Sequence, residues 1–180
     1  YTGNLSTFTP TPMSSVFFGG SNDEILEGSA IVSSNILCLA GNTNSNDISG
    51  PIVMRPEQIV NSSYPFLSII NIKDLDYPQL LGTYYIYGDK QDYITDIKSQ
   101  SKDSEYFFIS GYTNSNLNQF EWYSESLPYK PYSTSPNGGL NTENYDAIVW
   151  ELQWDVSQNV IIPVWGTLFG GSGNDTVISL

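Results

Sequence analysis

The sequence contains no histidine, and 180 residues carry one cysteine, one arginine and five lysines. Each shortage removes a class of function. Without histidine there is no Ser-His or Cys-His nucleophile, no imidazole metal ligand and no imidazole base titrating near neutrality. A lone cysteine, Cys38, cannot close an intrachain disulfide. It sits in the apolar run "NILCLAG", where a buried structural thiol is expected. Arg55 and the lysines face 19 acidic residues, for a formal net charge of −13. Such a chain repels phosphate backbones and anionic lipid, so neither nucleic acid nor membrane insertion is expected. No apolar run approaches the ~18 residues that span a bilayer as a helix. Helical patterning is also missing: no stretch combines helical spacing with caps over three turns. The segment "PIVMRPEQIV" (51–60) is the one place where a helical turn is expected.

The composition that remains is 39% hydrophobic, with aromatics at 14% of the chain. That is too apolar for a disordered segment, and the length suffices for one domain with a real core. Charged residues are only 14%, so Ser, Thr, Asn, Gln and Tyr must build the polar surface. Surfaces of that kind suit extracellular and structural β proteins, and an extracellular, cell-surface or virion-surface location is expected. Short β-branched or aromatic runs bounded by Gly, Asn, Ser or Pro recur along the chain. They are "SAIVSS", "NILCLAG", "PFLSIINI", "LLGTYYIYG", "YITDIK", "EYFFISG", "DAIVWELQW", "NVIIPVWGTLFGG" and "DTVISL". Runs such as "YFFIS" are apolar at successive positions, which fits strands covered on both faces. Residues 117–144 read as a long aromatic, Pro-rich loop.

The runs repeat. "GNTNSN" at 41–46 and "GYTNSN" at 111–116 stand 70 residues apart, each following a strand. A second element precedes those strands: "FFGGSNDE" at 17–24, "IYGDKQDY" at 86–93 and "FGGSGNDT" at 169–176. Aligned on Asp23, Asp92 and Asp175, its spacings are 69 and 83, and the first unit lacks one residue between Ser21 and Asp23. One period of about 70 residues carries four strands in fixed order, the content of a propeller blade.

These motifs resemble the seven-bladed β-propeller repeat family (SBBP). "GTLFGGSGND" (166–175), "GYTNSN" and "YDAIVWEL" (145–152) carry the resemblance, which covers the chain from about Ser14. It implies an all-β fold, a partial or open propeller of four-stranded antiparallel blades. Residues 1–20 would be a linker plus the last strand of a preceding blade. Residues 21–88 and 89–171 would be blades, the second holding the 117–144 loop, and 172–180 would begin a further blade. The resemblance implies no particular reaction.

The stretch "GGSGNDTVI" (170–178) also fits a calcium-binding nonapeptide. Such nonapeptides act in tandem every nine residues, whereas this element recurs at blade spacing. A glycine-rich turn is therefore the expected role, with Asp175 bonding nearby backbone amides. Asp23, Asp92 or Asp175 would be the residue holding an isolated calcium; otherwise no metal and no cofactor is expected.

Two blades fall short of the four to eight that close a propeller, and the chain begins at Tyr1 rather than Met. The expectation is a stretch of a longer propeller, or a chain whose sheets are completed by a protein partner or by other copies of itself. Loop aromatics Trp122, Tyr123, Tyr129 and Tyr132 could stack on a glycan or a protein. Trp150, Trp154 and Trp165 are expected to pack between blades. Asn4, Asn61 and Asn174 head N-glycosylation sequons. No spacing singles out a carboxylate pair for hydrolysis. The functional expectation is a non-enzymatic structural or interaction module, with a carbohydrate-binding lectin as the alternative.

Overall fold

The computed structural model describes residues 17–48, 51–54, 63–101, 103–116, 120 and 144–180. They form an all-β chain of nine strands. The first sheet contains β1 (Glu24–Ser33), β2 (Ile36–Thr43), β4 (Tyr64–Asn71) and β5 (Gln79–Tyr85), all antiparallel. A short strand, β3 (Ile52–Met54), joins its far edge parallel to β5. The expected helical turn therefore gives way to a strand where residues 52–54 are concerned. A β-branched pair, Ile52 and Val53, beside the free edge of β5 favours pairing over a turn of helix. The second sheet contains β6 (Asp92–Ser99), β7 (Tyr106–Thr113), β8 (Asp146–Asp155) and β9 (Val160–Phe169), in sequence order and antiparallel. The four-strand order expected from the repeat is thus present in both sheets. "DTVISL" differs: residues 176–180 pair in no ladder.

The sheets share one four-stranded unit and the bulge in its first strand. β1 carries a bulge between Leu26 and Gly28, and β6 carries one between Ile94 and Asp96. Opposite each bulge lies a glycine, Gly41 facing Leu26 and Gly111 facing Ile94. A bulge pushes backbone toward its partner strand. A Cβ on Gly41 would collide with the Ile25 carbonyl, and one on Gly111 with the Tyr93 carbonyl. The first glycine of each G-x-T-N-S-N motif is therefore a spacing requirement of the ladder.

The sheets stack face to face. The core lies between them and draws Val32, Cys38, Leu67 and Ile69 from the first, and Ile97, Phe107, Trp150 and Leu152 from the second. Trp150 and Trp154 are buried as expected of residues between sheets, whereas Trp165 is only half-buried. Phe120 packs edge-on against Trp150 at 5.9 Å. Where the second sheet puts Trp150 opposite Gly166, the first puts Ser68 opposite Thr83. The two hydroxyls bond each other at 2.8 Å and are buried. A bulky indole over a glycine has been exchanged for two small polar groups that satisfy one another.

Candidate interaction surface

Both sheets are entered through the same clip. In the first, Gly20 N–H donates to the Glu24 carboxylate (3.0 Å), Thr43 Oγ donates to its other oxygen (2.8 Å), and Ser45 N–H donates to Thr43 Oγ (2.8 Å). In the second, Gly88 N–H donates to Asp92 (2.7 Å), Thr113 Oγ donates to Asp92, and Ser115 N–H donates to Thr113 Oγ (2.8 Å). The glycine–acid part of the clip recurs after β9, where Gly171 N–H donates to Asp175 at 2.7 Å. Asn22 N–H and Lys90 N–H find Ser45 Oγ and Ser115 Oγ in the corresponding places (2.8 and 2.9 Å).

This geometry corrects the alignment on the aspartates. Glu24, not Asp23, is the counterpart of Asp92 and Asp175, each lying four residues after its glycine. The first unit lacks no residue; its acid is one methylene longer. Asp23 uses its backbone carbonyl to accept Asn44 N–H at 3.0 Å. Asp23, Asp92 and Asp175 are each a candidate for a separate calcium; among the described residues no group of three His, Cys, Asp or Glu side chains could hold a metal. The sequence signals were the Gly-to-acid spacing and the paired hydroxyls of T-N-S. Both were visible, but the mismatched Asp/Glu identity concealed the register.

Asp92 is the most perturbed acid of the set. Burial pushes its carboxyl from 3.8 up to about 6, against hydrogen bonds from Thr113, Gly88 and Ser115 that pull it down; Asp89 adds repulsion. A folded pKa above the unfolded one gives stability that is full below about pH 4 and is lost as pH rises through about 6. Asp92→Asn keeps an acceptor for Gly88 and can donate to Thr113. The variant is expected to gain roughly 2–3 kcal/mol at pH 7.5 relative to the parent chain, with little gain at pH 4. Melting curves at the two pH values check this, and an equal effect at both would refute it.

The joint between sheets is sealed by an amide that the sequence reading overlooked. Asn42, on β2, donates through Nδ2 to Ile94 O (2.8 Å) and accepts from Ile94 N–H through Oδ1 (2.9 Å). Asn42 is buried, so it supplies two bonds to backbone groups that β6 directs away from β7. Ile161 N–H also donates across the joint to Tyr84 Oη at 3.2 Å. Burial pushes the Cys38 thiol up, so it stays protonated within this core.

The outer surfaces differ. On the side of the first sheet away from the joint, Phe18, Ile48, Tyr64, Phe66, Tyr85 and Tyr87 form a second small cluster. Beside it Leu26 and Ile31 are exposed and Leu37 and Leu39 half-buried. On the far side of the second sheet, residues 177–180 lie against β6. Thr95 Oγ donates to Val177 O, and the Asp96 carboxylate accepts Leu180 N–H (2.9 Å) and Ser179 Oγ (3.1 Å). Asn174 is exposed, and its side-chain oxygen accepts Tyr145 N–H at 2.9 Å. Trp122, Tyr123, Tyr129, Tyr132, Asn4 and Asn61 lie outside the described residues. No helix among the described residues is long and apolar enough to cross a membrane. No family model matches the chain, and no curated protein matches its sequence.

Proposed function

We propose that this chain is a stretch of β-propeller, built from four-stranded blades of the SBBP type. It acts as a non-enzymatic structural or protein-interaction module within a larger extracellular assembly. The observation that carries the reading is the recurrence of one entry clip at Gly20 and Gly88, with its glycine–acid bond again at Gly171. Units that share an entry, a bulge and a stacking face can be added in series, which is how propellers are made. The module would work by shape, holding loops at fixed positions for a partner. The lectin alternative rests on Trp122, Tyr123, Tyr129 and Tyr132, and a glycan panel read by tryptophan fluorescence tests it directly.

The test of the main reading is the mass of the native particle, isolated from its source, beside that of the denatured chain. A denatured chain well above 20.0 kDa, or a particle several times the chain, is the expected outcome. A native particle consisting of one 20.0 kDa chain would rule the module out.

A further inference from the structure

The joint inside the chain shows what each outer face is built to meet. By ladder register, Leu26, Leu37 and Leu39 of the first sheet hold the positions of Ile94, Phe107 and Ile109 of the second. In the second sheet those three are buried against the first, at 4%, 0% and 2% exposure. Leu26 is 56% exposed, and Leu37 and Leu39 are half-buried. Evolving an apolar docking face and leaving it wet costs solubility.

The complementary face is present in the same chain. In the joint, Ile36, Cys38 and Leu67 of the first sheet face the second. Their counterparts by register are Tyr106, Phe108 and Val149, on the far side of the second sheet. Tyr106 is exposed, and Phe108 and Val149 are half-buried. Tyr112 stands where the joint uses Asn42 and brings a hydroxyl in place of the amide. That far side already accepts residues 177–180 of the chain itself, through Thr95 and Asp96. Counted from the clips, residues 175–180 correspond to 92–97 and to 24–29. Asp96 binds Leu180 N–H at the place where Gly28 abuts Ile97 N in the joint.

We infer that the outer face of the first sheet docks on the far side of the second sheet of another copy of this chain. Copies then add head to tail, and β1 of the incoming copy takes the place held by residues 175–180. The inference rests on the stacked-unit reading above. Because the two faces differ, the contact is heterologous and closes into a ring when the rotation permits.

The experiment is sedimentation of the purified full chain over a concentration range, with Leu39→Lys, Tyr106→Lys and an equimolar mixture of the two variants. Circular dichroism and melting establish that each variant keeps the parent fold. The 180-residue parent chain is expected at several times its own 20.0 kDa, and each variant alone at the single-chain mass. The mixture is expected to give a two-copy particle, since each variant retains one intact face. Assembly that survives Leu39→Lys, or that ignores Tyr106→Lys as a symmetric pairing of first sheets would, overturns the inference. A parent chain that stays single overturns it as well. The module reading then stands or falls on the native particle from the source.

Discussion

Gly111→Ala is expected to destabilise the chain by about 3 kcal/mol, a fall of roughly 6–12 °C in Tm for a domain of this size. The cause is local and severe. The added Cβ would lie inside the van der Waals envelope of the Tyr93 carbonyl, with the Tyr93 carbon and Ile94 Cα close behind at 2.8 and 3.1 Å. All three are backbone atoms, so no rotamer change relieves the contact. The β6–β7 ladder must open at the bulge, and the opening would disturb Ile94, which the joint with the first sheet needs. Gly41→Ala makes the same demand of Ile25 in the first sheet and is expected to cost a similar amount. Gly173→Ala is the control, because a Cβ there meets nothing within 4 Å. Its effect should stay within about 0.5 kcal/mol. Equal melting of all three variants would show that the repeated glycines are not spacing requirements.

Asn42→Ala is expected to cost about 3 kcal/mol, with an effect concentrated at the joint. It strips partners from both the N–H and the C=O of Ile94, at a site that remains buried. Each orphaned group costs roughly 1–3 kcal/mol. Asn42→Asp should be worse than its isosteric shape suggests, since a carboxylate accepts from Ile94 N–H but repels Ile94 O. Hydrogen exchange separates this loss from general destabilisation. The Ile94 amide should exchange faster in Asn42→Ala, while amides inside the β7–β8 ladder change only by the global amount. Unaltered exchange at Ile94 would mean that the amide bridge does not hold the sheets together.

Much of this architecture was legible, and the legible part followed from backbone economy. Strands showed as short β-branched runs because pleated, doubly covered surfaces select those side chains. The period showed because a bulge with its opposing glycine, and a clip with its hydroxyls, tolerate few substitutions. What stayed hidden depended on side-chain reach. Glu24 can do the work of Asp92 from the same backbone position, so an alignment on residue identity slipped by one. Asn42 sits at the variable position of G-x-T-N-S-N, where its counterpart is Tyr112. A residue that matters through a contact with the next unit need not repeat, and no single-strand pattern marks it. β3 was missed because one parallel pairing with a distant edge leaves no periodic trace in three residues.

On the proposed reading, like units follow one another along the chain, each seated on the one before. Electron cryo-microscopy of the native particle would show whether they do. Further four-stranded sheets are expected on the face of the first sheet that carries Leu26, Leu37 and Leu39 and beyond the second, successive sheets being related by one rotation around a common axis. A native particle in which Leu26, Ile31 and Leu39 face bulk solvent would contradict that reading.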